Sequence, residues 1–175
     1  MKETDKLLFK NSVFNRPDDA NKGTLGSLLC ICGSYGMAGA AIMAGKAALR
    51  CGIGLLKIAV PKSIYPICAS NMLESVYYPL KETDIGAVSA DNINFLLSAC
   101  EKSSAVLIGC GLSVCDDTKE LVKAVITNCA KPIVIDADAL NCICDEPQIL
   151  NHLKAPAIIT PHPGEMAIAH HTKSC

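Results

Sequence analysis

Two kinds of hydrophobic pattern alternate along the chain. Short apolar runs, several of them without alternating polar residues, are typical of strands that are buried on both faces. Between these runs lie longer segments in which apolar residues recur at helical spacing, such as Met37 to about Cys51. The pattern predicts an α/β fold in which a mostly parallel sheet lies between two layers of helices. The predicted strands are Leu28–Cys32, Leu55–Val60, Ser75–Tyr78, Val106–Ile108, Ile133–Ile135 and Ala157–Ile159, and further helices are predicted at about Ile64–Ala69, Ser89–Cys100 and Lys119–Asn128.

Four of the predicted strands end in turns that are rich in glycine or polar residues. Ligands of parallel sheets bind beyond the carboxyl ends of the strands, and parallel strands bring those ends to one edge. We therefore expect the four turns to lie along one edge and to contribute to a common site. The turns are Gly33–Gly39, Gly109–Gly111, Asp136–Asn141 and Thr160–Glu165.

The first of these turns lies between the first strand and the first long helix. A glycine turn in that position can bring backbone N–H groups up to an anionic ligand. Its glycines, at 33, 36 and 39, do not have the G-x-G-x-x-G spacing of the dinucleotide fingerprint. No Gly-Lys-Ser or Gly-Lys-Thr follows, as a P-loop would require. Taken alone, the turn fits an anion site or a purely structural turn equally well.

Composition narrows the classes of protein that the chain can represent. Its 175 residues suit one domain over residues 1–175 with a full hydrophobic core. A formal net charge of −1, the absence of Trp and the absence of a basic cluster all disfavour nucleic-acid binding. The sequence shows neither a membrane-spanning apolar stretch nor a signal peptide, so we expect a cytoplasmic protein with no membrane partner.

The chain contains 11 cysteines, which raises the question of a disulfide framework or a metal site. No two of them form a C-x-x-C pair, their number is odd, and many lie inside apolar runs. Cys30 and Cys32 are spaced to share one face of the first strand. We therefore expect buried, reduced thiols in a reducing compartment, with no metal site and no disulfide framework.

Together the turns resemble those of the ADP- or ATP-dependent NAD(P)H-hydrate dehydratase family, within the ribokinase-like superfamily. The matching stretches follow the family's order and cover about residues 16–170. They are Lys22-Gly23 with Gly26, Gly33-Ser34 through Met37 and Gly39-Ala40-Ala41, Ala47 through Gly54, Gly109-Cys110-Gly111-Leu112, Asp136-Ala137-Asp138-Ala139-Leu140-Asn141, and Thr160-Pro161-His162-Pro163-Gly164-Glu165.

The resemblance implies a three-layer ribokinase-like domain that repairs a damaged nicotinamide cofactor. In the family's reaction, ADP or ATP with Mg²⁺ phosphorylates the hydroxyl of a hydrated reduced cofactor, NADHX or NADPHX. Phosphate then leaves and restores the double bond of the reduced ring. Hydroxide is a poor leaving group and phosphate a good one, so consumption of the nucleotide drives the elimination.

The resemblance also implies roles for individual residues. Ala40, Gly111 and His162 would contact the hydrate. From the residues alone, a carboxylate after the fifth strand fits a turn or helix-cap acceptor as well as a ligand contact. His162, between two prolines, also fits a purely structural role. Candidates for a wider substrate or phosphate network are Gly33, Ser34, Asp136, Asp138 and Glu165, the last standing where related kinases carry an acidic residue near magnesium and phosphate.

Two departures from the family pattern carry expectations of their own. The second glycine turn reads Gly-Cys-Gly-Leu-Ser over residues 109–113, where the family usually has Gly-Pro-Gly-Leu-Gly, so we expect a less rigid loop. The sequence ends at Cys175, before the family's Gly-Thr-Gly-Asp motif with its anion hole and catalytic Asp. We therefore expect a C-terminally incomplete domain with no catalytic residue of its own, no activity alone, and an exposed sheet edge that favours homo-oligomers.

Two other functions remain open from the sequence. A ribokinase-like kinase of small alcohols, such as vitamin precursors, shares the sheet and the turn after Thr160-Pro161, although Asn is expected there in place of His162. A non-catalytic dinucleotide-binding module is favoured only by the absent C-terminal half. Binding of a dinucleotide hydrate, of a vitamin-precursor alcohol, or of neither discriminates among the three.

Overall fold

A six-stranded sheet forms the centre of the molecule, with strand order β3-β2-β1-β4-β5-β6. The computed structural model describes residues 23–164, and every neighbouring pair of strands in it is parallel. The strands are β1 (Ser27–Ile31), β2 (Leu55–Pro61), β3 (Val76–Leu80), β4 (Ala105–Ile108), β5 (Ile133–Ile135) and β6 (Ala157–Ile159). The helices are α1 (Ala38–Arg50), α2 (Tyr65–Asn71), α3 (Ile93–Glu101), α4 (Asp116–Asn128) and α5 (Asp138–Cys142), with short 3₁₀ helices at Ala90–Asn92 and Pro147–His152.

The central strand β1 divides its side chains between two hydrophobic cores. Leu29 and Ile31 point to one face, where they belong to the core built with α3, α4 and α5. Cys30 and Cys32 point to the other face and pack in the core that includes residues of α1 and α2. Both cysteines are fully buried, as predicted. The helices therefore cover both faces of the sheet, which confirms the predicted three-layer α/β/α architecture.

Most element boundaries fall within two residues of their predicted positions, and β5 and β6 coincide with theirs. The sequence predicts a turn over Asp136–Asn141, but the structure forms the short helix α5 from Asp138 onward. A five-residue helix offers too little apolar periodicity to be distinguished from a turn. Across the described range, no helix is both long and apolar enough to cross a membrane.

The sheet has two edge strands, β3 and β6. β3 ends one side, and β6 ends the other with Ile158 and Ile159 exposed. Because all strands are parallel, their amino ends lie at one edge of the sheet and their carboxyl ends at the opposite edge. The connection from α4 to β5 lies at the amino-terminal edge, and the four predicted turns lie at the carboxyl-terminal edge. This arrangement confirms that the four turns share one edge, as far as their residues are described.

Replacement of Gly109 by Ala tests how tightly the carboxyl edge is packed. A Cβ at this position would lie 1.9 Å from the carbonyl oxygen of Asp136, and the backbone φ of +120° strains any side chain. We expect Gly109→Ala to lower the free energy of unfolding by about 3 kcal/mol or more, measured by urea denaturation.

Gly39→Ala is the matched control. The added Cβ would meet no atom within 4 Å, and Gly39 lies inside α1. We expect this variant to be neutral or more stable by up to about 1 kcal/mol, because Ala has the higher helix propensity. Equal losses of stability in both variants would contradict the packing argument.

Candidate active site

The order in which the strands follow one another reverses direction between the neighbouring strands β1 and β4. A parallel sheet has a crevice at such a reversal. The connection after β1 runs by α1 to β2, and the connection after β4 runs by α4 to β5 on the other side. Because the connections after β1 and β4 run in opposite directions, the carboxyl ends of these two strands form the topological switch point, where ligands of such sheets bind. The turn Gly33–Gly39 and the turn Gly109–Gly111 flank this point.

The turn after β1 is held against the turn after β4 by polar contacts. The Gly33 N–H donates to the carbonyl oxygen of Cys110 at 2.9 Å. Ser34 is buried, and its hydroxyl donates to the carbonyl oxygen of Gly111 at 2.9 Å. With that proton committed, the Ser113 hydroxyl 2.8 Å away is the donor to the Ser34 oxygen. Ser34 therefore fixes the spacing of the two turns.

Ala40 and Gly111, two of the predicted substrate contacts, lie directly against each other. A Cβ on Gly111 would lie 2.7 Å from the Cβ of Ala40 and 3.1 Å from that of Met37. Gly111 also has a φ of +66°, which favours glycine. The first turn of α1 and the backbone after β4 thus approach as closely as two residues without bulky side chains permit.

The amino terminus of α1 lies at this contact. The 13-residue helix has no side-chain cap hydrogen bond at Met37 and no acidic residue in its first turn. Its positive end is therefore not offset by a neighbouring carboxylate of the same turn. Such a terminus is suited to an anionic group of a ligand.

Asp136, at the end of β5, connects the turns on either side of it. Its carboxylate accepts a hydrogen bond from the Cys110 thiol at 3.1 Å and another from the Thr160 hydroxyl. Thr160 begins the turn after β6, and its N–H also donates to Ile135. The carboxylate thus links three strand ends rather than closing a turn within its own segment.

Asp138 makes a second cross-strand link. Its carboxylate accepts a hydrogen bond from the Ser113 N–H at 2.9 Å and faces the Asn141 amide at 3.4 Å. The intervening Ala137 has a φ of +47°, a strained value for a residue other than glycine. Both carboxylates therefore act as acceptors for the protein backbone and side chains, and any contact with a ligand would be additional.

Asp136 also changes the chemistry of its thiol neighbour. Burial, together with the hydrogen bond to Asp136 and its negative charge, raises the pKa of Cys110 to about 12. Cys110 stands where the family usually has proline, and Ser113, with a φ of +66°, stands where it usually has glycine. Each substituted residue gains a hydrogen bond, and the lower rigidity expected of this loop stays a prediction.

His162 lies in the turn after β6, at the same edge but farther along it. Between β1 and β6 lie three strand spacings of about 4.8 Å each, which puts these strands about 14 Å apart. The Nδ1 of the exposed His162 ring accepts the Gly164 N–H at 3.0 Å, so a neutral ring carries its proton on Nε2. The strand order therefore places the turn that contains His162 three strands away from the turn that precedes Ala40. Glu165 lies outside the described residues.

A cleft of about 400 Å³ adjoins the switch point on the β2 side. Tyr35 lies at its border, with the Tyr35 N–H donating to Gly86 at 2.9 Å. Gly86 permits this approach, because a Cβ there would lie 2.3 Å from the Cβ of Tyr35. The cleft extends the candidate site, and its lining residues are Tyr35, Ser63, Glu82, Thr83, Asp84, Ile85 and Gly86.

The described residues do not build a magnesium site. No group of three His, Cys, Asp or Glu side chains between residues 23 and 164 is arranged to hold a metal ion. Asp136 and Asp138 have neighbouring donors and do not converge with a third ligand. We therefore derive no step through Mg²⁺ from these residues.

Ser113, Thr160 and Cys110 are the site residues that reasoning from the sequence missed. Thr160 had a signal, because it lies in the quoted Thr-Pro-His-Pro-Gly-Glu stretch one strand away from Asp136. Ser113 and Cys110 were visible only as departures from the family pattern. Nothing in the linear sequence showed that their hydrogen bonds would go to two aspartates and Ser34.

The fold is that of a ribokinase-like α/β protein, with the candidate site at the switch point. A ribokinase-like superfamily protein from Enterococcus faecalis superimposes with a TM-score of 0.78 and 20% identity, over 95% of this chain and 55% of that one. At that identity the likeness shows the fold alone.

The family follows from the sequence comparison. The sequence profile of NAD(P)H-hydrate dehydratases matches residues 28–170, and the chain belongs to this family. It is 39% identical over 158 residues to the bifunctional NAD(P)H-hydrate repair enzyme Nnr of Moorella thermoacetica, covering 90% of this chain and 30% of that enzyme.

A solved structure of the same family agrees. The ADP/ATP-dependent NAD(P)H-hydrate dehydratase of Bacillus subtilis, co-crystallized with ATP/Mg²⁺, matches with a TM-score of 0.68 and 28% identity over 90% of this chain. The chain covers 51% of that dehydratase. It thus spans between about a third and a half of the length of the relatives described here.

Two substitutions at Ser113 separate backbone strain from the loss of its hydroxyl. Ser113→Ala and Ser113→Gly both remove the hydrogen bond to Ser34, but only glycine relieves the φ of +66°. We expect the Ala variant to lose about 1 kcal/mol more unfolding free energy than the Gly variant in urea titrations. If the Ala variant is the more stable of the two, the strain argument is wrong.

The pKa of Cys110 should respond to Asp136. Asp136→Asn removes the negative charge, so the pKa of Cys110 should fall while burial keeps it above the ordinary value. The measurement is the pH profile of Cys110 alkylation, resolved by peptide mass spectrometry. Cys144 is the internal control, because its raised pKa depends on burial and Asp145. An unshifted Cys110 profile would contradict the assignment.

Proposed function

We propose that this chain forms the substrate side of an NAD(P)H-hydrate dehydratase and holds the hydrated dinucleotide, NADHX or NADPHX, at the switch point. The observation that carries the proposal is the contact of Ala40 with Gly111 beside the uncapped start of α1. Family membership supports the reaction class, and the close approach of the two turns supports the switch point as the binding place.

Two features of the Ala40–Gly111 contact suit a dinucleotide ligand. The absence of bulky side chains at Ala40 and Gly111 lets a ligand approach the backbone of both turns. The helix terminus next to them offers N–H groups and a favourable field to the negatively charged pyrophosphate that joins the two nucleotides. The cleft beside Tyr35 provides further polar walls for one end of an extended ligand.

His162 serves a more distant part of the same ligand in this proposal. Its strand end lies about 14 Å from that of β1, so one small group cannot touch both places, whereas a dinucleotide spans more of the edge. The ring is exposed, and its Nδ1 accepts the Gly164 N–H at 3.0 Å.

The phosphoryl donor would be ADP or ATP, as in the Bacillus subtilis relative, whose structure was obtained with ATP/Mg²⁺. The nucleotide converts the hydroxyl of the hydrate into a phosphate ester, which leaves readily. The residues described here position the hydrate, and none of them is assigned to phosphoryl transfer. We propose a cytoplasmic, homo-oligomeric protein on the same basis, supported for self-association by the exposed Ile158 and Ile159 of the edge strand β6.

Isothermal titration calorimetry with NADPH hydrate tests the proposal. Ala40→Val fills the space at the first turn of α1, and we expect it to weaken binding about tenfold or more, or ~1.4 kcal/mol. Ala47→Val is the matched control: it lies two turns farther along the same face of α1, is exposed, and carries the same change in helix propensity.

Two ligands, the hydrate and a vitamin-precursor alcohol, separate the competing functions in that experiment. Tight binding of the hydrate, lost in Ala40→Val and kept in Ala47→Val, supports the proposal. Binding of a vitamin-precursor alcohol with no affinity for the hydrate would overturn it in favour of a small-alcohol kinase. Equal binding of hydrate by both variants would show that the dinucleotide does not lie at the Ala40–Gly111 contact.

A further inference from the structure

A cavity far from the candidate active site contains two cysteines. It has a volume of about 290 Å³ and lies at the opposite, amino-terminal edge of the sheet, where α3 ends and the chain turns from α4 into β5. Cys100 reaches it from the last turn of α3, and Cys129 reaches it from the residue that follows α4. The remaining lining residues are Leu97, Glu101, Asn128, Ala130, Lys131 and Lys154.

The two thiols are neighbours within one core. Both belong to the hydrophobic cluster on the α3–α4 face, and both are almost fully buried. Both line the same cavity, and each is the largest single influence on the pKa of the other. In its thiol form, Cys129 also donates to the carbonyl oxygen of Lys131 at 3.6 Å. The cavity gives a small reagent access to a pair that is otherwise enclosed.

The surroundings make the two sulfurs chemically unequal. The neighbouring Cys100 side chain, with help from the backbone and charge of Lys131, lowers the pKa of Cys129 in spite of burial. The Cys129 side chain and burial raise the pKa of Cys100, and Glu101 adds to that effect. Lys154, whose ammonium lies 3.5 Å from the Asn128 side chain, is the other cation of the cavity. Thiolate character is what makes one cysteine of a pair the attacking nucleophile.

We propose that Cys100 and Cys129 form a peroxide-sensitive dithiol, in which Cys129 is the residue oxidised first and Cys100 the resolving residue. The product is an intramolecular disulfide that joins the end of α3 to the turn before β5. The proposal does not depend on the dehydratase function, because it rests on a separate cavity at the other edge of the sheet.

The chemistry balances with hydrogen peroxide as the oxidant. The Cys129 thiolate attacks one peroxide oxygen; an S–O bond forms, the O–O bond breaks, and the departing hydroxide takes a proton to become water. Cys100 then attacks the sulfur of the sulfenic acid; the S–S bond forms, the S–O bond breaks, and a second water leaves. Two thiols lose two electrons, and one peroxide is reduced to two waters.

Cys30 and Cys32 are a matched control pair within the same chain. They are also buried neighbours, but only Ile31 separates them in the chain, with Cys30 in β1 and Cys32 directly after its end. That spacing separates their Cα atoms by about 6.7 Å with parallel side chains, at the upper limit of disulfide geometry. The structure therefore predicts oxidation at one pair of buried thiols and not at the other.

The test treats the full 175-residue folded chain with equimolar hydrogen peroxide, removes the peroxide, blocks free thiols with iodoacetamide in denaturing urea and digests the chain without reduction. We expect a cross-linked peptide containing Cys100 and Cys129, lighter by two hydrogen masses than the reduced pair, with Cys30 and Cys32 fully alkylated. Cys100→Ser should leave Cys129 as a sulfenic acid that dimedone traps. Cys129→Ser should leave Cys100 reduced.

Several results would overturn the proposal. Full alkylation of Cys129 after peroxide, a stable sulfenic acid at Cys129 in the unsubstituted chain, or a dominant disulfide to the exposed Cys51 each contradicts it. The unsubstituted chain alone decides these outcomes, so the test holds even if a buried serine prevents a variant from folding.

Discussion

The close contact between the turns after β1 and β4 is the constraint on which the candidate site depends. Two backbone segments meet there with the methyl group of Ala40 and the side chain of Met37 at the contact, and Gly111 has no side chain to hold them apart. Ser34 is buried below the contact and sets the spacing through its hydroxyl. A larger residue at any of these positions would open the crevice from within, move the start of α1 and change the place where an anionic group meets the helix.

The two aspartates after β5, Asp136 and Asp138, connect the other turns along the same edge of the sheet. Asp136 ties the β4 turn to the β6 turn, and Asp138 ties the β5 turn to Ser113. Because protein donors satisfy much of the capacity of these carboxylates, their charge is partly offset before any ligand arrives. This arrangement is compatible with a negatively charged substrate at the neighbouring switch point, where unpaired carboxylates would repel it.

Much of the fold could be predicted because its signals are strong and local. The buried strands are continuous apolar runs, and α1 and α4 have full helical periodicity. The convergence of the four turns followed from the parallel sheet, and so did the general place of the site. The hydrogen-bond partners that join the turns across this site could not be predicted. Whether Ser34 binds a ligand or Gly111 depends on a register between strands 77 residues apart, which no local pattern encodes.

Backbone geometry was the other unpredictable part. A serine at position 113 in a left-handed conformation conflicts with local preference and is held there by tertiary hydrogen bonds to Ser34 and Asp138. Likewise, the placement of His162 at a distance from Ala40 follows from strand order, since β4 and β5 intervene between β1 and β6. A motif gives the identity of such residues but not the separation between them.

The alternation of side chains along β1 has a consequence for how the domain comes apart. Leu29 and Ile31 belong to one core and Cys30 and Cys32 to the other, so a single strand is part of both. Neither layer of helices can detach without exposing one side of this strand to water. The two halves of the molecule are therefore coupled into one cooperative unit, and the amides of β1 are expected to exchange with solvent only on global opening.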